Sequence, residues 1–519
     1  MGTTLSSLIK NNQIPVTAGT TILQNALLEI FSDGYAYPCS VADYAATPNK
    51  GTAILAATAI SFSSLNNWTS GTDYGCSPNS PMIQDSLGNL YVLTANTTSG
   101  TGLVCSKYSA AGAFIGSLVI DSVGTAVNYA NIGILSNGNL FAVYSVNSTA
   151  EKFSIFTPQL VSVVAATALN NSFASDMAVA SIPLSGGGFA AVYGTSTTNL
   201  QLSIYSNAGG FLYSAANTVD ATQHISGLAQ LSNGNIVVAF NNTATLKFGI
   251  YSTTASVVVA TTSTGIAIAN AAPVAVSVLA SGFFALASYT NTTSTPANAA
   301  VFSNAGAIQG SIIVSTGGNG TSIPLGLVND GTNFWLITSN GGTTQAPIYT
   351  KITTAGVATV TAIGMAFGAA EYSNFCVGYD GCGIIIIMSG NATTTTLYSA
   401  FSVNLGIELV SATTIAAGAA SNANISMLMV GDGAFAAYTY PSATATDLSI
   451  WKAVNSAIIG PAQAAAAPAA QVQVIVASGY YPINKLKGTQ GKAFTMKSGA
   501  NLYGNNGSIN GIGVAQQGM

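Results

Sequence analysis

Residues 225–263 read ISGLAQLSNGNIVVAFNNTATLKFGIYSTTASVVVATTS, and this stretch holds the plan of most of the chain. Residues 225–231 form an apolar-rich run that ends at Ser232-Asn233-Gly234. An Asn-Gly pair supplies the positive φ angles that tight hairpins require. Residues 235–241 follow as a second strand, apolar at every position from Ile236 to Phe240. Such a strand suits burial on both faces. After a loop at 242–245, Leu246, Phe248 and Ile250 alternate with Lys247, Gly249 and Tyr251. That period of two marks a half-exposed strand. Residues 252–255 turn again, and 257–261 make a fourth strand. The segment is therefore a four-stranded antiparallel meander.

The same unit recurs. Clear copies are GILSNGNLFAVYS around Gly138, IPLSGGGFAAVYG around Gly187 and AQLSNGNIVVAFN around Gly234. Weaker copies surround Gly88, Gly282, Gly331, Gly381 and Gly433. Successive anchor glycines lie 47 to 52 residues apart, each between two apolar runs. In Asp330-Gly331, Asp380-Gly381 and Asp432-Gly433 the aspartate stands where Asn stands elsewhere, and we read it as a turn former. No Asp-x-Asp-x-Asp calcium loop accompanies these residues.

Four-stranded units at a period of about 49 residues predict an all-β fold, a β-propeller of seven or eight blades. The outer strands are expected to alternate and to carry the polar residues. Ring closure would protect edges that charge is too scarce to keep apart. A row of β-sandwiches is the main rival and a β-helix a weaker one, but the sandwiches predict linkers, and none separates the units. The apolar segment 52–62 is expected to complete the last blade. The chain thus divides into an N-terminal extension (1–50), the propeller (51–460), and a linker with a C-terminal tail (461–519). The extension is expected to hold one short helix at 23–31, and the tail one strand at 472–477.

Composition excludes whole classes of function. Of 519 residues only 5% are charged, against roughly 25% in an ordinary domain. There are 11 lysines, no arginine, and one histidine, His224. A nucleic-acid partner needs a field of cations that is not present. No run of 18 apolar residues suggests a membrane span. The first 20 residues lack the apolar core of a secretory signal, and Gly2 with Ser6 fits a myristoylation pattern only loosely. The five cysteines (39, 76, 105, 376 and 382) have no regular spacing and make no disulfide framework; Cys376 and Cys382 flank an expected turn and could meet, but two small half-buried residues is the plainer reading. The Asn-x-Ser/Thr triplets at Asn67, Asn96 and Asn147 are expected by chance in so Asn- and Thr-rich a chain.

No catalytic, cofactor or metal site is expected. Asp220 with His224 could suggest a dyad, but a lone loop histidine is the plainer reading. No G-x-S-x-G, H-E-x-x-H or phosphate-binding glycine motif occurs. Propeller sialidases clamp a carboxylate with arginines, which this chain lacks. A pair of carboxylates across a central pocket, as glycoside hydrolysis needs, is not excluded by sequence. Four lysines of the tail (Lys485, Lys487, Lys492 and Lys497) follow the last acid, Asp447, and form a candidate attachment surface.

The scarcity of charge, the lack of arginine and the Ala/Gly/Ser/Thr/Asn-rich repeats resemble bacteriophage virion proteins of the tail, fibre or capsid-accessory type. The ending Gly513-Val514-Ala515-Gln516-Gln517-Gly518-Met519 is similar to theirs. The resemblance implies a non-enzymatic structural protein, made in the host cytoplasm and carried in many copies on a particle. Its partners would be other virion proteins and further copies of itself. Receptor or host-glycan binding through Tyr and Trp faces is the alternative, and polysaccharide cleavage a third.

Overall fold

A computed structural model describes residues 13–17, 27–30, 36–38, 53–60, 81–95, 103–109, 113–122, 127–146, 151–170, 179–196, 199–218, 226–242, 245–268, 274–289, 297–314, 325–339, 347–362, 372–381, 383–391, 395–403, 407–417, 425–431, 434–442, 445–452, 458–461, 471–475, 494–497 and 501–504. Described elements are all β-strands, and eight of the sheets have four strands each. Seven of these follow chain order: blade 1 (82–121), blade 2 (127–168), blade 3 (180–218), blade 4 (226–267), blade 5 (275–314), blade 6 (325–362) and blade 7 (372–417). Blade 8 takes three strands from 426–452 and its outermost strand, Ala53–Ile60, from the other end of the chain.

The innermost strands are Met82–Gln84, Val127–Ile134, Ala180–Pro183, Ser226–Gln230, Ala275–Leu279, Leu325–Asn329, Tyr372–Tyr379 and Ser426–Gly431. Each lies beside the next, and the last lies beside the first. The ring is closed, and the fold is an eight-bladed β-propeller. Segment 53–60 does what its apolar sequence suggested. Asp447 stands opposite Ala59, Ile450 opposite Leu55 and Trp451 opposite Ala53, so one sheet clasps the two ends of the ring.

The second strand explains the packing. Ile236, Val237, Val238, Ala239 and Phe240 are all fully buried. Side chains alternate across a strand, so Ile236, Val238 and Phe240 join a core with Ile182 and Val192 of blade 3. Val237 and Ala239 join another with Phe284 and Leu286 of blade 5. Every joint between blades has such a core, including the closing one, where Met82, Leu90 and Val92 meet Val430 and Ala436. At about 0.8 kcal/mol per buried methylene, these joints are the main source of stability.

The turns depart from expectation in one respect. At the first turn of blade 4 the Leu231 N–H donates to the Asn235 carbonyl at 2.7 Å and the Gly234 N–H to the Leu231 carbonyl at 2.9 Å. Only Gly234 has a left-handed φ, +88°; Asn233 does not share it. This is a three-residue loop, a type I turn closed by a left-handed residue, not a two-residue Asn-Gly turn. Asn233 contributes its side chain, whose Oδ1 accepts the Asn235 N–H at 3.1 Å.

The ends also differ. Residues 27–30 form a strand, Leu27–Ile30, between Ala36–Pro38 and Ile458–Pro461, where a helix was expected. A nine-residue helix is marginal by itself, and here the segment pairs with strands on both sides. The expected strand in the tail is Gln471–Ile475, which pairs with Gln13–Thr17. A hairpin joins Phe494–Lys497 to Asn501–Gly504.

Candidate functional site

Seven of the eight anchor glycines adopt positive φ: Gly88, Gly138, Gly187, Gly234, Gly282, Gly331 and Gly381. Gly433 lies outside the described residues. All are first turns of their blades, so the meander puts them on one face of the ring, with the turns between third and fourth strands. They shape that face and bring no reactive group together.

The aspartates of these turns are occupied by their own loops. Asp85 Oδ1 accepts the N–H groups of Leu87 and Asn89, and Oδ2 accepts Asn89 Nδ2 and the Tyr91 hydroxyl. Asp330 Oδ1 accepts the N–H groups of Thr332 and Asn333, and Oδ2 accepts Trp335 Nε1 at 2.8 Å. Asp380 Oδ1 accepts the Ile384 N–H. Asp432 lies outside the described residues.

The axis is apolar. None of the eight innermost strands contains Asp, Glu, Lys, Arg or His. Glycines let neighbouring inner strands close on one another: a Cβ on Gly227 would strike Val276, one on Gly326 would strike Val377, and one on Gly378 would strike Met429. At these three joints a glycine faces a bulky neighbour. Charged links cross between blades 1 and 2, where Lys152 meets Asp121 and Lys107 meets the Pro158 carbonyl; others are neutral. Asn131 Nδ2 donates to the Ser181 carbonyl at 2.8 Å, Asn207 Nδ2 to Ser136 Oγ at 3.0 Å, and Asn304 Nδ2 to Ser232 Oγ at 2.8 Å.

Three lysines are engaged with nearby groups. Lys107 donates to the Pro158 carbonyl and lies 5.3 Å over the Tyr91 ring. Lys351 lies 5.9 Å over Trp335. Lys152 pairs with the largely buried Asp121 at 2.9 Å, and the Tyr144 hydroxyl donates to the same carboxylate oxygen. Burial pushes the Tyr144 hydroxyl far above its ordinary range, and the Asp121 charge adds to the shift. Burial likewise raises the Cys105 thiol. Cys376 is buried and its thiol donates to the Ile425 carbonyl. Among the described residues no three His, Cys, Asp or Glu side chains gather as a metal site.

Several sequence candidates fall outside the described residues: His224, Asp220, Cys382, Lys485, Lys487 and Lys492. Lys497 ends the strand Phe494–Lys497. Two features escaped the sequence reading. One is the pairing of a turn aspartate with an aromatic in blades 1 and 6. Its signal was present as Asp85 with Tyr91 and Asp330 with Trp335, six and five residues apart. The other is that the outer strands begin with exposed Phe, Val and Ile, where polar residues were expected.

No protein-family model matches the sequence, and no curated protein matches it. Solved structures similar in fold include the Dos1 propeller, at 12% identity and a TM-score of 0.46, covering 76% of this chain and 95% of that one. The polysaccharide lyase Uly1 is 9% identical with a TM-score of 0.38, covering 85% of this chain and 100% of that one. BBS1N, solved in complex with ARL6DN, is 10% identical with a TM-score of 0.37, covering 73% and 93%.

Proposed function

We propose that this chain is a non-enzymatic structural protein of a virion, displayed in many copies and fixed to the particle through its two extensions. The observation that carries the reading is where the extensions leave the ring. Ala53–Ile60 and Ala445–Lys452 are neighbouring strands of blade 8, so both extensions depart from one blade. They then pair again, Gln13–Thr17 with Gln471–Ile475 and Leu27–Ile30 with Ile458–Pro461. A single two-chain-end module would anchor the body without engaging the other blades. Inner strands that carry no Asp, Glu, Lys, Arg or His, and turn aspartates that bond within their own loops, favour a body that acts by shape. The sparse charge suits close packing of copies, because little long-range repulsion separates them.

The test is incorporation. Particles assembled with protein lacking residues 1–50 or 471–519 should contain none of either variant, while both variants keep the strand-rich circular dichroism of the intact chain. Normal incorporation of both deletions overturns the anchoring. Release of new reducing ends or unsaturated sugars from host polysaccharide overturns the non-enzymatic reading.

A further inference from the structure

The joint between blades 1 and 2 buries an amine against a carboxylate. Asp121 ends the outer strand of blade 1, Phe114–Asp121, and Lys152 begins the third strand of blade 2, Lys152–Phe156. Lys152 Nζ lies 2.9 Å from Asp121 Oδ2, and the two side chains are only 19% and 5% exposed. Tyr144 is fully buried and stands directly across the ladder from Lys152. Its hydroxyl donates to the same carboxylate oxygen at 2.9 Å. One oxygen of Asp121 thus receives both donors.

The fold does not need these charges. At the joint between blades 2 and 3, 49 residues further along, Tyr193 and Gln201 stand where Tyr144 and Lys152 stand here. There the Tyr193 hydroxyl and Gln201 Nε2 both donate to the Asn170 main-chain carbonyl, at 2.6 and 3.2 Å. That neutral cluster fills the same place with no ion in it. A buried ion pair brings little net stability over such groups, because both ions must leave water. In a chain with 11 lysines and 15 acids, one of each sits at a joint that neutral groups also close. Their reactivity distinguishes them from those groups.

We propose that Lys152 and Asp121 condense into an amide that covalently joins blades 1 and 2. The ammonium passes a proton to the carboxylate along their 2.9 Å contact, and the freed lone pair of Nζ attacks Cγ. The Nζ–Cγ bond forms and the Cγ–Oδ2 bond breaks. Two hydrogens shed by Nζ leave on Oδ2 as water, and the third stays on the amide nitrogen. Nothing else is consumed. The Tyr144 hydroxyl holds the departing oxygen and relays a proton to it. Two effects favour the product. Fixing amine and acid in contact is equivalent to a concentration on the order of 10⁵ M or more when the groups are well oriented. The amide is also neutral, so the penalty of keeping two ions out of water disappears with the reaction. The bond closes a loop around the first two strands of blade 2, which restricts the unfolded chain. This inference goes beyond the virion reading and does not depend on it.

Mass spectrometry of the purified full-length protein, denatured before measurement, tests it. The intact mass should fall short of the sequence mass by one water, and a protease digest should yield one branched peptide that carries both Asp121 and Lys152. Lys152→Arg keeps a cation at the site without the amine and should show its full sequence mass. So should the double variant Asp121→Asn with Lys152→Gln, which copies the neutral chemistry of the next joint and keeps the fold. The wild type should have the higher thermal midpoint of the two, whereas a mere ion pair would leave the neutral variant at least as stable. Tyr144→Phe should leave an unjoined fraction in freshly folded protein, and complete joining there would overturn the part given to Tyr144. A folded wild type of full sequence mass, or a deficit of one water that persists in both the Lys152→Arg and the double variant, would overturn the bond.

Discussion

Trp335 donates its indole N–H to Asp330 Oδ2 at 2.8 Å, binding the second strand of blade 6 to the turn that precedes it. Blade 1 repeats the arrangement with the Tyr91 hydroxyl and Asp85 Oδ2 at 3.1 Å. In both blades a lysine directly across the ladder covers the ring, Lys351 opposite Trp335 and Lys107 opposite Tyr91. The carboxylate thus shapes the turn with one oxygen and fixes an interblade aromatic with the other.

Removing either end of that link should be measurable. Hydrogen bonds to a charged acceptor contribute about 1.5–3 kcal/mol. Trp335→Phe keeps most of the packing and should cost about 1–2 kcal/mol in urea unfolding. Asp330→Ala also uncaps Thr332 and Asn333 and should cost more. The double variant should lose less than the sum of the two; strict additivity would show that the pair is not coupled.

Glycine separates turn strain from close approach. Gly234 has φ +88° and open space around its Cα, so Gly234→Ala meets only the backbone penalty, about 1–2 kcal/mol. Gly356 has φ +70°, and an added Cβ would run into the Gln309 carbonyl of blade 5. Gly356→Ala must also push two blades apart and should cost at least about 3 kcal/mol. Equal losses in the two variants would contradict this account of the joint between blades 5 and 6.

The repeat, the ring and the clasp strand at 53–60 were readable because each leaves a local mark: a glycine that must take positive φ, a doubly apolar second strand, an unpartnered apolar run. The turn type was not, because Asn233 favours two hairpin geometries and only the backbone decides between them. The strand at Leu27–Ile30 was not, because one of its two partners, Ile458–Pro461, is more than 400 residues away and the other, Ala36–Pro38, is only three residues long. The exposed apolar residues of the outer strands escaped because a valine such as Val257 reads as a core residue in sequence. Asp330 and Asp380 bond within their turns as turn formers should, but the second role of Asp330, and of Asp85, needed the ladder that places Trp335 and Tyr91 beside them.

Buried tyrosines set the alkaline limit. Burial raises the Tyr108 hydroxyl to about 12, and burial with nearby carboxylates raises Tyr91 and Tyr144 further. In the unfolded chain these groups ionise near pH 10. Above that pH the unfolded state binds fewer protons than the folded one, so stability falls as pH rises. Their contribution is complete below pH 10 and is lost above it, through about 12 for Tyr108 and at still higher pH for Tyr91 and Tyr144. The thermal midpoint should be flat from pH 6 to 9 and drop steeply above 10, with the absorbance rise at 295 nm delayed until unfolding. Free titration of all tyrosines near pH 10 in the folded protein would refute the burial.

The clasp makes ring closure depend on a segment far from the rest of its blade. Without 53–60, the strand Ala445–Lys452 would become an open edge, with Leu448 and Ile450 losing their ladder partners Thr58 and Leu55. An unpaired apolar edge recruits other chains. Deletion of residues 1–50 leaves the clasp in place and should leave the thermal midpoint within about a degree or two. Deletion of 1–60 should lower it sharply, increase dye binding to apolar surface and promote aggregation that high salt does not suppress. Joining residues 53–60 by a short Gly/Ser linker after Lys452, in a circularly permuted chain, should restore stability, because the ladder depends on the strand being present and not on the end of the chain that supplies it.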